Sequence, residues 1–232
     1  MADSHQPIVI SPHKGQTSYS GDHRRPSVDF PLYLITDRKM FSAPCVMYIA
    51  LETILEVGVK AIQLREKDLA VKELFDMAVW MRELTSEYNA LLFINDRIDV
   101  ALSVQADGVH LGQNSLRISA ARKIAGRKLL IGVSTHSVEE ALEAERDGAD
   151  FITLGPVYET LSKLQYGPPI GIDTLRNVKS RVSLPVYAIG GIKLERVVDV
   201  KEAGADGIAL ISGILAAKNI KETTEGFLRL LQ

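Results

Sequence analysis

Three segments of this chain are written to one template. Gln105-Ala106-Asp107-Gly108-Val109-His110-Leu111, Gly148-Ala149-Asp150-Phe151-Ile152-Thr153-Leu154 and Gly204-Ala205-Asp206-Gly207-Ile208-Ala209-Leu210 each close a helical pattern with a short turn and enter a buried strand. Gly58-Val59-Lys60-Ala61-Ile62-Gln63-Leu64 is a looser fourth copy. This repeated βα unit restricts the fold more than any compositional feature. Short, nearly continuous apolar strands need cover on both faces, and helices between parallel strands supply it.

Strands are expected at 32–36, 61–64, 91–94, 107–111, 129–133, 151–154, 186–189 and 207–211. From Pro44, Val46, Ala50, Ile54 and Val57 recur at helical spacing until Gly58, and over 71–88 Leu74, Ala78, Met81 and Leu84 share a face. Ser137 and Glu140 predict a capping box opening a helix over 137–147, and further helices are expected near 173–179, 194–202 and 220–231. Eight such units close as a (β/α)8 TIM barrel, an α/β fold. The competing arrangement, a doubly wound open sheet, usually carries a Gly-rich dinucleotide turn after its first strand, and none follows 32–36.

A chain of 232 residues, 46% apolar and 24% charged, accommodates one such barrel, expected over 31–232 as the domain of an enzyme or a binding protein. Residues 1–30 show no sustained period and are rich in Ser, His, Pro, Gly and Arg, so they read as a flexible, disordered tail. Its histidines, His5, His13 and His23, are too irregularly spaced to suggest a metal tract. The net charge of -2 exerts no global pull on nucleic acid or anionic membrane, so any anion site must be local. The single Cys45 allows no internal disulfide, and no apolar run approaches the roughly 20 residues of a membrane span. A cytoplasmic protein is the expectation.

Barrels place chemistry where their strands end. After the second strand, alternation sends Gln63, Arg65 and Lys67 to one side and Leu64 and Glu66 to the other. An amide and two cations in that order suit an anion with several oxygens, a diphosphate better than a carboxylate. Equally, Arg65 and Lys67 can pair with Glu66 and Asp68 on a solvated rim. The third strand ends in Asn95 and Asp96; Asp96 suits a hard cation such as Mg²⁺, or pairs with Arg97. Ser134 and His136 close the fifth strand, and a long loop carrying Thr160, Ser162 and Lys163 follows the sixth. Gly190-Gly191 and Ile211-Ser212-Gly213 lie where barrels often hold a phosphate, although glycines there also shape tight turns. His110 reads as structural and His136 as a residue able to move a proton, while no zinc spacing, P-loop or nucleophile elbow is present.

Read together, Gln63-Leu64-Arg65-Glu66-Lys67, Ile94-Asn95-Asp96-Arg97, the 106–112 and 131–136 runs, Gly155-Pro156-Val157-Tyr158 with Lys163, and the 188–192 run resemble thiamine phosphate synthase in order and spacing. The resemblance runs from about residue 32 to the end. It implies a Mg²⁺-dependent transferase of the (β/α)8 fold that joins hydroxymethylpyrimidine diphosphate to a thiazole phosphate and releases pyrophosphate. Its partners are then phosphorylated small molecules rather than nucleic acid or membrane, with a homo-oligomer left open. Carried onto this chain, the resemblance implies that Gln63, Arg65, Lys67, Asn95, Ser134 and Lys163 hold the pyrimidine diphosphate, with Arg65, Lys67 and Lys163 as the catalytic cations. Thr160, Ser162, Gly191, Ile211 and Ser212 match positions near the thiazole phosphate. Asp96 matches a metal ligand, and Ser115 stands where the family has a second metal-binding Asp. A thiazole tautomerase of the same barrel family, using a histidine at the place of His136, is the alternative enzyme. A non-catalytic phosphate-ligand sensor is the alternative from outside enzymology.

Overall fold

The computed structural model describes residues 27–160 and 168–232. Eight parallel strands pair in chain order and β8 returns to β1, closing the expected barrel. The strands are β1 Leu32–Ile35, β2 Ala61–Leu64, β3 Leu91–Asn95, β4 Gly108–Leu111, β5 Leu130–Thr135, β6 Phe151–Leu154, β7 Val186–Ile189 and β8 Gly207–Leu210. Around them run α1 Pro44–Val57, α2 Val71–Glu87, α3 Ile98–Ser103, α4 Ile118–Ala125, α5 Val138–Arg146, α6 Gly171–Lys179, α7 Val197–Glu202, α8 Ser212–Leu215 and α9 Ile220–Leu231. Sequence periodicity did not announce α3, α4 or α8. Helices of six and four residues hold too few turns to show a period, and α4 buries only Ala121 and Ala125. The capping box at α5 is half formed. Ser137 Oγ accepts from the Glu140 N–H at 3.2 Å, but the Glu140 carboxylate takes the His136 N–H at 2.7 Å.

The lumen is filled by aromatic rings set beside residues with little or no side chain. Tyr33, Phe93, Phe151 and Tyr187 point inward, and in register with them stand Ala61, Gly108, Gly132 and Gly207. Space explains the pattern. A Cβ on Gly108 would lie 2.4 Å from the Phe93 ring, and one on Gly132 would lie 2.3 Å from Phe151. Phe30 closes the floor, stacked on Tyr187 with ring centroids 4.8 Å apart. That placement corrects the domain boundary expected from sequence: Phe30 is buried and belongs to the barrel, while residues 1–26 of the expected tail lie outside the described residues. A lone aromatic in an aperiodic segment carries no signal of burial.

The repeated template has a structural meaning at the strand-entry end. Asp107 Oδ2 accepts from the Leu92 N–H at 2.8 Å and from Arg82 at 2.6 Å. Asp150 Oδ2 accepts from the Ile131 N–H at 2.7 Å and from Arg122 at 2.6 Å. Asp206 Oδ2 accepts from the Val186 N–H at 2.8 Å and from Lys179 at 2.5 Å. Each aspartate therefore joins the turn before an even strand to the start of the preceding odd strand and to a cation on the helix that leads into that odd strand. In the loose fourth copy, Lys60 takes the place of the acid and donates to the Tyr88 carbonyl at 2.9 Å. These contacts stiffen the end of the barrel opposite its mouth, where residues serve stability rather than chemistry.

Candidate active site

Above the aromatic layer the lumen turns polar. Gln63 of β2, Asn95 of β3, His110 of β4, Ser134 of β5 and Thr153 of β6 all point inward. Gln63 Nε2 donates to Asn95 Oδ1 at 3.0 Å, and Asn95 Nδ2 donates to Asp96 Oδ2 at 2.7 Å. On the other side of Asp96, the Ser115 hydroxyl donates to Oδ1 while accepting the Gly112 N–H at 2.6 Å. Ser134 Oγ meets His110 Nε2 at 3.0 Å and the Thr153 hydroxyl at 3.4 Å. The sequence-predicted residues Gln63, Asn95, Asp96, Ser115 and Ser134 are thus gathered on one belt. Thr153 was missed, because a threonine inside an apolar strand run carries no sign of which face it takes.

Two features set the belt apart from the packed layer below it. Gln63 is 1% exposed, and its Oε1 is a buried polar atom with no hydrogen-bond partner among the described residues. Such an atom costs about 1–3 kcal/mol unless a donor reaches it. Asp96 has a left-handed backbone, φ +61°, at the point where β3 gives way to a turn. A side chain held there costs about 1–3 kcal/mol, and such conformations cluster at functional sites. The expected alternative pairing of Asp96 with Arg97 does not form. Arg97 turns outward, its Nε donating to Asp99 at 2.9 Å.

Arg65 and Lys67 follow β2 directly. The acids beside them, expected as competing partners, are engaged elsewhere. Glu66 Oε1 accepts from the Thr36 hydroxyl at 2.8 Å and from the Arg38 N–H at 3.0 Å. Asp68 pairs with Arg38 at 2.9 Å and Lys39 at 3.1 Å. Burial of Glu66 raises its carboxyl above the ordinary range, against the Thr36 and Arg38 hydrogen bonds that lower it. Arg65 is half-buried and Lys67 exposed. Arg65 also acts on His110, whose pKa is pushed down to about 3 by burial first of all; the Asp96 charge opposes that shift and the Arg65 charge adds to it. His110 is therefore a neutral, buried member of the belt, in keeping with the structural role expected of it.

His136 stands apart, its Nδ1 3.1 Å from Glu140 and 3.3 Å from Gln113 Nε2. Lys163 and Ser162 lie outside the described residues. Thr160 precedes them in the loop after β6, and Gly191, Ile211 and Ser212 follow β7 and β8. The tight-turn role of the glycine pair is realised. A Cβ on Gly190 would meet Pro156 at 2.5 Å, and one on Gly191, φ +64°, would meet the Glu159 carbonyl at 2.5 Å. The loop lies on this turn, with the Tyr158 N–H donating to the Gly190 carbonyl at 3.1 Å. Arg196, which sequence reasoning did not single out, donates to the Gly191 carbonyl at 2.6 Å and stacks 4.4 Å over the Tyr158 ring.

Asp96 offers one carboxylate, with donors on both oxygens. That set fits Mg²⁺, which takes one or two carboxylates and draws the rest from water and phosphate oxygens. It does not fit a metal caged by protein ligands: no group of three or more His, Cys, Asp or Glu is placed to hold one among the described residues. No helix among them is long and apolar enough to cross a membrane.

A closed parallel barrel with a polar belt and two cations, Arg65 and Lys67, after β2 at the carboxyl ends of its strands has the architecture of a (β/α)8 enzyme. The thiamine monophosphate synthase family model matches residues 32–214. The chain belongs to that family, and its barrel is that of a transferase. It is 47% identical over 204 residues to a putative thiamine-phosphate synthase of Geobacter sulfurreducens, covering 88% of this chain and 95% of the relative. It is 43% identical over 196 residues to the thiamine-phosphate synthase of Clostridium acetobutylicum, covering 84% and 92%. Among solved structures, thiamine phosphate pyrophosphorylase from Pyrococcus furiosus superposes with a TM-score of 0.80 at 40% identity, covering 88% of this chain and 96% of that one.

Proposed function

We infer that this protein couples hydroxymethylpyrimidine diphosphate to a thiazole phosphate with release of pyrophosphate. The observation that carries the reading is the orphaned, buried Gln63 carbonyl beside Arg65, whose neighbouring acids are engaged elsewhere. An N–H borne by a heterocycle satisfies the carbonyl, and a diphosphate satisfies the cations. One ligand that carries both groups fits the end of β2.

In the reaction the bond from the pyrimidine methylene to the diphosphate oxygen breaks and its electron pair leaves with pyrophosphate. The thiazole nitrogen forms the new C–N bond. Charge grows on the leaving oxygens, so Arg65, Lys67 and Lys163 stabilise the transition state more than the ground state. Ser134 and Asn95 orient the pyrimidine diphosphate, and the belt bonds of Asn95 to Gln63 and Asp96 hold it in one rotamer. Thr160, Ser162, Gly191, Ile211 and Ser212 hold the second phosphate, so proximity supplies much of the remaining acceleration. Asp96, with Ser115 beside it, would hold Mg²⁺ against the diphosphate, where the ion adds positive charge next to the leaving group.

Incubation with both phosphorylated halves and Mg²⁺ should yield thiamine phosphate and pyrophosphate. Isomerisation of the thiazole phosphate without coupling would instead make the protein a tautomerase, and binding without turnover would make it a sensor.

A further inference from the structure

The run Arg65-Glu66-Lys67-Asp68 alternates cation and acid, and such a run left to itself neutralises its own charges. The loop after β1 prevents this. Thr36 is buried, and its hydroxyl works in both directions: it accepts the Arg65 N–H at 3.0 Å and donates to Glu66 Oε1 at 2.8 Å. The Arg38 N–H reaches the same carboxylate oxygen at 3.0 Å. Glu66 is 5% exposed, so these contacts form in a site largely shut off from water. The backbone adds a further tie, with the Thr36 N–H donating to the Gln63 carbonyl at 2.9 Å. Together they make a strut from the end of β1 to the end of β2.

We propose that Glu66 is a positioning residue for Arg65: through Thr36 and the Arg38 N–H it holds the end of β2 so that Arg65 faces the mouth. The proposal rests on the coupling reaction inferred above and names a residue that does not touch substrate. Both strut bonds end on one carboxylate oxygen, so the strut needs an acceptor rather than a charge. A glutamine amide oxygen serves in its place, and alanine does not.

The test compares Glu66→Ala with Glu66→Gln in the full-length protein. Glu66→Ala should raise the KM for the pyrimidine diphosphate about tenfold while the KM for the thiazole phosphate stays within about twofold, because only Arg65 loses its support. Glu66→Gln should restore the wild-type KM to within about twofold. A purely structural role would move both KM values together or lower only thermal stability. Should Glu66→Ala fail to fold, Thr36→Val removes the central hydroxyl with little change of shape, and Thr36→Ser returns it. Equal shifts of the two KM values, no shift at all, or a Glu66→Gln variant as impaired as Glu66→Ala each overturn the proposal. Calorimetry with inorganic pyrophosphate separates it from the coupling reading. If the wild type does not couple the substrates, the inferred reaction fails. The strut then still stands if Glu66→Ala weakens pyrophosphate binding about tenfold and Glu66→Gln does not, and falls if all three proteins bind pyrophosphate alike.

Discussion

Replacing Asp150 by alanine removes one acceptor at the strand-entry end of the barrel and leaves at least two donors behind. The first is the N–H of Ile131, a fully buried residue at the second position of β5, now bonded at 2.7 Å. A buried amide left without a partner costs about 1–3 kcal/mol. The second is Arg122, paired at 2.6 Å, with the two side chains 24% and 13% exposed. Arg122 keeps its bonds to the carbonyls of Gly126, Leu129 and Gly148, so its share of the loss is small, about 1 kcal/mol. The sum is about 2–4 kcal/mol, which for a domain of this size lowers Tm by about 4–16 °C. Asp150→Asn keeps a carbonyl oxygen for the Ile131 N–H and loses only the charge, so it should cost about 1 kcal/mol. Urea titrations followed by circular dichroism measure both values. Ser134 lies three residues further along β5, about 10 Å away, so kcat and KM of the folded variants should match wild type. An Asp150→Ala protein within about 0.5 kcal/mol of wild type, or an Asp150→Asn protein as unstable as the alanine variant, would refute the division between amide and ion pair.

Four further outcomes follow from the lumen and the mouth. His110 has a folded pKa pushed down to about 3, below its unfolded value of about 6.5, so the unfolded chain takes up the proton first. Its contribution is present at neutral pH and drains as pH falls below about 6.5, by up to about 1.4 kcal/mol per unit. Glu66, whose carboxyl is raised by burial, contributes with the opposite sign just above its ordinary range. Urea midpoints between pH 6.5 and 5 should therefore fall more steeply for wild type than for His110→Gln, and identical slopes would rule His110 out as the cause. Gly132→Ala places a Cβ 2.3 Å from Phe151 and 2.7 Å from His110 Nδ1, and should cost about 1–3 kcal/mol or more. Adding Phe151→Leu should recover part of that, and a strictly additive double variant would contradict the steric account. Gln63→Met removes the orphaned oxygen, so stability should stay within about 1 kcal/mol of wild type while the diphosphate KM rises about tenfold; unfolding without a KM change would make Gln63 structural. Ser115→Asp should tighten the apparent Mg²⁺ affinity, and an unchanged metal titration would remove Ser115 from the ion's neighbourhood.

The strands were legible because each apolar run is short, bounded and recurrent, which made Gln63, Asn95 and Ser134 candidates as strand-end residues, and period-two alternation set Gln63 on one side with Arg65 and Lys67. The same rule sent Glu66 away from Arg65. It could not say what Glu66 meets there, because Thr36 and Arg38 are about thirty residues distant and arrive only when β1 pairs with β2. Phe30 was read as tail for a similar reason: Ser27-Val28-Asp29 before it shows no period, and its partners are rings from four different strands.

From the chain alone came the barrel, the order of its strands, the residues at their carboxyl ends and the resemblance that named the chemistry, since all of these are written in local pattern and spacing. Closure of the barrel decided the rest. It joined Asp107, Asp150 and Asp206 each to the start of the preceding strand, drew Asn95, Asp96 and Ser115 onto one belt, and brought Thr36, Arg38 and Lys39 to Glu66 and Asp68 as partners. Those are questions of which distant groups become neighbours, and hydrogen bonds between strands answer them only after the register is set.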